Sequence, residues 1–347
     1  MSPGGEALAS GFEPDGIYLD TATYGLPSEG TVAALETALE RWRRGTATME
    51  EYDAAVVTSR GLYADLAGTN PSRVAVANQV SVFAGLVAAS IPSGSRVVVA
   101  DDEFTSILFP LLVNESRGLR IDLVPFEDLA EAIEPATALV AFSAVRSNDG
   151  KLVDIDGIEE RARRHGTRML VDTTQAMGWL PIDSKRFDYT VASAYKWLLS
   201  PRGTAFMTVS EDAAETLQPL FAGWYAGEEV WDSIYGGPLR LASSARRFDV
   251  SPAWLSWMGT VPALELIVGV GVERIHRHDV ALANQTRQLL GQEPSQSAIL
   301  TIALSDTSVL AARGIEGSVR ADAVRVGFHL YNDESDVTAL VDAVKEA

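Results

Sequence analysis

Two residues of this sequence have types and a spacing that suit covalent chemistry on a carbonyl group. Lys196 lies in DYTVASAYKWLLSPRG, and Asp172 closes the apolar run RMLVD 24 residues earlier. An Asp at the end of one strand and a Lys just beyond the next bring a carboxylate and an amine to the same bound ring. The amine condenses with an aldehyde, and the carboxylate faces a protonated ring nitrogen. Ala192, Tyr195, Trp197 and Leu198 surround Lys196 in sequence, a setting in which a charged amine is costly unless it is neutral or covalently consumed. The competing reading is a strand-end Lys that snorkels to solvent.

Further segments supply the other parts of a site for pyridoxal 5′-phosphate (PLP). VAVANQVSVFAGLVAASIP reads as a strand, a polar turn and an apolar helix beginning near Val80, whose free N–H groups suit a phosphate; Ser81 adds a hydroxyl. A plain helix cap is the alternative there. Phe104 follows the strand SRVVVAD and is placed to stack on a ring, or to serve as a core aromatic. Gln175 follows Asp172 and is placed to reach the ring's phenolic oxygen, or to stand exposed. Arg325, in AVRVGFHLY, offers a planar bidentate donor for an amino-acid carboxylate, with an internal salt bridge as the equal alternative.

The elements that must position these residues are legible as a repeat of strand and helix. The runs RVAVAN, SRVVVAD, LRIDLVPF, TALVAFSAV, TRMLVD, DYTVASAY and GTAFMTVS lack polar alternation, as expected of strands covered on both faces. Helical stretches such as Asp156–His165 separate them. The pattern predicts an α/β fold with a doubly wound, mostly parallel sheet, in which Asn78, Asp101, Asp172 and Lys196 lie at the carboxyl ends of strands. Beyond Pro219 the stretch 221–250 reads as loop. Helices are expected over 252–276 and 279–292, then strands in AILTIALS and AVRVGFHLY and a last helix in SDVTALVDAV. The division expected is a large domain over 18–250 and a small C-terminal α/β domain over 251–347, with segment 1–17 packed near the latter.

Composition narrows the function classes. At 347 residues, 47% hydrophobic and 22% charged, the chain reads as an ordinary globular protein. A net charge of −19 argues against nucleic acid or an anionic membrane as partner. Cysteine is absent, which excludes disulfides, thiolate metal sites and a protein-borne persulfide. The first residues, MSPGGEALASGFEPDG, carry no signal-peptide pattern, and a cytoplasmic location is expected. His276 and His278 sit beside Arg274 and Arg277 and read as part of a solvated face; no metal site is expected. No strand is followed by GxGxxG, which disfavours a nicotinamide-dependent dehydrogenase.

In order and spacing, the chain from Tyr18 to Val337 resembles the class V aminotransferase family of fold type I PLP enzymes. That family includes cysteine desulfurases, kynureninases and isopenicillin-N-epimerase-like proteins. VDTTQAMGWLPID is similar to its Asp-x-x-(His/Gln)-x-x-Gly segment, SAYKWLLSPRG to its Ser-x-(His/Tyr)-Lys segment, and VRVGFHLYND to its terminal Arg strand. The resemblance implies a seven-stranded large domain, Lys196 as the covalent lysine, Asp172 at the ring nitrogen, Gln175 at the phenolic oxygen and Phe104 as the stacking ring. It implies Val80, Ser81, Ser193, Tyr195 and Tyr225 around the phosphate, Arg325 with Ala22 and Thr23 on the substrate side, and Ser251 contacting the phosphate of a neighbouring subunit in a homodimer. Tyr195, GWYAG and Phe104 resemble the kynureninase branch; Gln175 and Ser147 depart from the family's commoner His and Asn.

The expected function is a PLP-dependent enzyme acting on an α-amino acid, in which Lys196 binds the cofactor and removes the Cα proton. A carbon–sulfur or carbon–carbon lyase and an aminotransferase stand level. An epimerase, a desulfurase passing sulfur to an external acceptor, and a non-catalytic PLP-fold binding protein are the alternatives.

Overall fold

A computed structural model gives the fold, described for residues 7–304, 306–320 and 323–346. In chain order, a short strand β1 (Ile17–Tyr18) precedes helices α1 (Glu29–Arg43) and α2 (Met49–Leu66). Strand β2 (Val74–Ala77), helix α3 (Val80–Ser90), strand β3 (Arg96–Ala100), helix α4 (Thr105–Val113) and strands β4 (Arg120–Val124) and β5 (Thr137–Ser143) follow. Next come α5 (Ile155–His165), β6 (Arg168–Asp172), β7 (Tyr189–Ser193), β8 (Ala205–Val209) and α6 (Glu211–Thr216). The C-terminal part holds α7 (Trp254–Val270), α8 (Val272–Leu289), β9 (Ile299–Ala303), α9 (Ser308–Ala312), β10 (Ile315–Glu316), β11 (Ser318–Arg320), β12 (Ala323–Gly327) and α10 (Glu334–Lys345).

The seven expected strands form one sheet in the order β2-β8-β7-β6-β5-β3-β4. All run parallel except β8, which pairs antiparallel with both neighbours. Successive side chains go to opposite faces. Val74, Val76, Val98, Val140, Phe142 and Val171 enter one apolar core, while Ala75, Val97, Val99, Leu139, Leu170 and Val191 enter the other. Each such side chain contributes about 1.5–3 kcal/mol on burial, and both faces must be covered for these runs to be stable in water. Edge strand β4 differs, because its Arg120 and Leu123 are exposed.

The second sheet, β11-β12-β9, is antiparallel, with Arg325 paired to Ser318 on one side and Thr301 on the other. Strand β11 was not legible in the sequence. The N-terminal segment joins this half: Leu8 donates its N–H to the Leu330 carbonyl at 2.7 Å, and β1 pairs with β10. Residues 1–6 of the segment lie outside those described. A third core, with Leu19, Leu282, Ile302, Val326 and Leu340, underlies the small sheet.

Two expectations need correction. The helix anticipated over 252–276 ends at Val270, and the next begins at Val272. Gly271 lies between them with φ +88°, a conformation most side chains avoid, so the break falls at the glycine and His276 and His278 lie within α8. His278 is also not on a solvated face. It is 2% exposed and bonded to Asp279, and His276 stacks on Trp179, because this stripe of α8 faces the protein interior. Among the described residues no single helix is long and apolar enough to cross a membrane.

Candidate active site

The parallel strands β2, β3, β5, β6 and β7 deliver their following residues to one edge of the large sheet. Asp172 is the last residue of β6 and pairs in register with Val191 of β7. The chain leaves β7 in a tight turn that carries Lys196. Leu199 adopts φ +54° to close it, and its N–H returns to the Lys196 carbonyl at 3.0 Å. Such a φ is costly for a side chain with a Cβ and persists where the surroundings impose it. Two glycines impose it here. A Cβ on Gly25 would meet the Lys196 carbonyl oxygen at 2.1 Å, and one on Gly178, itself at φ +109°, would meet the Trp197 oxygen at 2.6 Å. The backbone of the Lys196 turn is therefore gripped from two sides.

An inner pocket of about 360 Å³ is lined by Val80, Phe104, Ser106, Ser143, Ser147, Asp172, Thr174, Gln175, Ser193, Tyr195 and Lys196. It opens into a cleft of about 1120 Å³ that shares Phe104, Ser147, Tyr195 and Lys196 and adds, among others, Ala22, Thr23 and Arg325. Ten of the thirteen residues expected from sequence thus meet in one connected space. Ser81 and Tyr225 do not line it, nor does Ser251, which is expected at the phosphate of a neighbouring subunit and not at this chain's own. The Tyr225 hydroxyl donates to the Asp53 carboxylate at 2.5 Å, and Ser251 is exposed ahead of α7.

The Lys196 side chain is 5% exposed, with Nζ 5.3 Å from the centroid of the Phe104 ring. Burial pushes its amine down to about 8; Asp172 opposes the shift, and Arg325 and Arg320 add to it. Asp172 moves the other way: burial raises its carboxyl above the usual range, against hydrogen bonds from Thr174 and the charge of Lys196. Thr174 donates its N–H to Asp172 Oδ1 at 2.7 Å, and its hydroxyl accepts the Ser193 N–H at 3.0 Å.

Gln175 is engaged throughout. Its Nε2 donates to the Ala22 carbonyl at 2.8 Å and to Ser147 Oγ at 3.1 Å, while Oε1 accepts the Trp197 indole N–H at 2.8 Å. It ties the N-terminal segment to the Lys196 turn. Arg325 is 1% exposed, and burial pushes its guanidinium down to about 10, so it stays charged at neutral pH. It donates to Thr23 Oγ1 at 2.6 Å and to the Ser147 carbonyl, and lies 3.5 Å from Asp20. Its Nε is buried without a partner.

Sequence reasoning passed over Glu103, which reads as one of three acids after β3. It is 7% exposed and accepts from the Phe104 N–H at 2.7 Å and from both the N–H and hydroxyl of Ser143. Burial pushes its carboxyl up to about 7. Thr174 carried no motif signal beyond its place two residues after Asp172, while Ser147, which stands where the family more often has Asn, meets Gln175 and Arg325.

These residues fit PLP. Helix α3 starts at Val80 with no side-chain cap on its N-terminus, leaving N–H donors beside Ser193 and Tyr195 for a phosphate. A buried carboxylate is unfavourable by itself, and a protonated pyridine nitrogen supplies the missing opposite charge at Asp172. The depressed Lys196 amine is the nucleophile an aldehyde requires.

Comparison with known proteins agrees with this geometry. Residues 74–314 match the model of the family described as aminotransferase class-V. An uncharacterized aminotransferase of Bacillus subtilis is 28% identical, over 82% of this chain and 82% of its own. The isopenicillin N epimerase of Amycolatopsis lactamdurans is 29% identical, over 83% and 84%. In fold, the chain is similar to the C-DES protein solved with glycine covalently linked to its PLP cofactor, at a TM-score of 0.85 and 19% identity over 95% and 96% of the two chains.

Proposed function

Because this chain belongs to the class-V aminotransferase family, we propose that it is an aminotransferase acting on an α-amino acid, with Lys196 as its one proton-carrying base. It is a PLP-dependent enzyme, and PLP supplies the electron-withdrawing ring that makes the substrate's Cα proton labile. Val80, Ser193 and Tyr195 would hold the phosphate, Phe104 the ring face and Asp172 the ring nitrogen. Arg325 takes the substrate α-carboxylate through its fork, with the unpaired Nε and the Thr23-bound Nη2 on one edge.

The supply of bases is the observation that sets the transferase reading above an epimerase; it leaves the choice against a lyase to the half-reaction test below. Among the described residues lining the pocket and cleft, Lys196 is the sole amine, and no imidazole lines them. An amine near 8 is neutral often enough at pH 7 to take a proton from Cα, and basic enough to hold it and return it on the same face. An epimerase needs a second base, and among the described lining residues none besides Lys196 carries an amine or an imidazole. Glu103 does not supply one, because its oxygens are occupied by Ser143 and Phe104. Gln175 keeps Ala22 and Trp197 in place, so Lys196 swings on a fixed turn.

A homodimer and a cytoplasmic location belong to the same proposal, as does the division into large and small domains near residue 250. Exposed Phe221, Ile234, Tyr235 and Leu239 on the loop before α7, together with Phe109 on α4, support a second copy as their cover.

The test is a single half-reaction. With an amino acid and no 2-oxo acid, the enzyme should release one equivalent of 2-oxo acid per site and stop until an acceptor 2-oxo acid is added. Continuous release of pyruvate, ammonia or sulfide would replace the transferase reading with a lyase. In Lys196→Ala, borohydride should no longer fix the cofactor to the chain.

A further inference from the structure

The wide cleft is markedly cationic in a protein whose net charge is −19: Arg146, Arg202, Arg320 and Arg325 all line it. Arg146 is spoken for, bonded to Asp102 at 3.1 Å and to Asp149 at 2.9 Å. Arg325 has the buried Asp20 at 3.5 Å and is assigned above to the α-carboxylate. Arg202 and Arg320 have no carboxylate within 4.0 Å among the described residues. The two acids in the lining do not offset them, because Asp102 pairs with Arg146 and Glu103 is turned inward to Ser143.

Both guanidinium groups are held in place without an acid to neutralise them among the described residues. Arg202 lies over the Tyr195 ring, Cζ 4.9 Å from its centroid, and the Tyr24 ring packs against Tyr195 at 5.6 Å. Arg320 places Nη2 3.3 Å from Thr23 Oγ1, the same hydroxyl that Arg325 holds at 2.6 Å. Like charges crowded about one hydroxyl repel each other, and an anion at Arg320, besides the α-carboxylate at Arg325, relieves that.

We propose that the cleft selects an α-amino acid whose side chain ends in a carboxylate or an anion of similar size, held by Arg202 and Arg320 while Arg325 holds the α-carboxylate. The inference rests on the amino-acid reading above and adds the substrate class. The two guanidiniums are specificity groups, since neither carries the reacting proton.

The experiment uses holoenzyme and probes that lack an amine, so that binding is read apart from chemistry. Glutarate should bind roughly tenfold or more tightly than butyrate by calorimetry, the difference expected of one charge-assisted contact. In Arg202→Gln/Arg320→Gln the glutarate-to-butyrate preference should fall to near one. Glutamate should likewise outpace glutamine in the half-reaction, and the double variant should narrow that gap. Equal binding of the two acids by wild type, or a preference retained in the double variant, overturns the subsite. A glutarate preference with no 2-oxo acid from any amino acid would instead leave the subsite standing and remove the transferase reading. Faster reaction with neutral amino acids would do the reverse.

Discussion

Asp279 Oδ2 lies 3.0 Å from His329 Nδ1, and the other ring nitrogen of His329 lies 3.0 Å from the carbonyl oxygen of Trp197, the residue after Lys196. His278 holds the second Asp279 oxygen at 2.9 Å. The small sheet's end is thereby bonded to the backbone of the Lys196 turn through a fully buried imidazole. Replacing His329 by Phe keeps much of the volume and removes both contacts, so the buried Asp279 carboxylate and the Trp197 carbonyl lose the polar partner between them. We expect a loss of about 2–4 kcal/mol in urea unfolding. Weaker PLP binding should accompany it, because the turn is held from one side fewer. A loss under about 1 kcal/mol with unchanged PLP affinity would show that the bridge does not support the site.

Capture of PLP by apoenzyme should follow the Lys196 amine. The neutral amine is the nucleophile, so the rate should rise with pH and level off above about 8, the value to which burial brings it. An unburied lysine would show the same rise about two units higher. Arg325 pushes the amine down, so Arg325→Gln should move the midpoint towards higher pH. Stopped-flow absorbance across pH 6–10 reads both; a wild-type midpoint above about 10 would mean that the amine is solvated.

Much of this arrangement was legible because it lies in continuous apolar runs. Seven Val- and Ala-rich strands can only be stable inside, and Asp172, Phe104 and Lys196 stand where those runs end. Legibility failed where tertiary packing decides the outcome. His278 sits among arginines in sequence, yet α8 turns it inward, and the break falls at one of two glycines in IVGVGVERI as a backbone choice. Glu103 is chemically indistinguishable from Asp101 and Asp102 until β5 brings Ser143 against it. Tyr225 reads as a cleft residue in its motif, and only the packing of α2 reveals Asp53 as its partner. Arg202 and Arg320 gave no periodic signal, since they come to line one cleft only when the second sheet docks at the strand ends.

The edge of the sheet behind Val80 depends on a buried ion pair. Arg60 on α2 meets Asp249 at 2.6 and 3.2 Å, and Asp249 also accepts the Val76 N–H of β2 at 2.8 Å. Asp249→Ala strands a guanidinium and an N–H in the interior and should cost about 3–5 kcal/mol. The pair Arg60→Met/Asp249→Ala should regain much of that loss, since the uncompensated charge is gone. Chemical unfolding of the two variants checks both; an equal loss in each would mean that the packing, and not the stranded charge, is what the pair supplies.

Glu103 should leave a signature in the pH dependence of stability. Burial raises its carboxyl from 4.5 to about 7, against the hydrogen bonds from Ser143 and Phe104. The folded protein therefore binds a proton between these values that the unfolded chain has released, and the slope of stability with pH is negative there. The contribution is fully present below pH 4.5 and is lost as pH rises through about 7. Glu103→Gln cannot ionise, so its unfolding free energy should decline less between pH 5 and 8 than that of wild type. It should also be less stable at pH 5 by about 1–3 kcal/mol, because a single amide oxygen cannot accept all the donors that the carboxyl serves. Parallel pH profiles for the two proteins would show that Glu103 titrates as a solvated acid and does not brace Phe104 against the sheet.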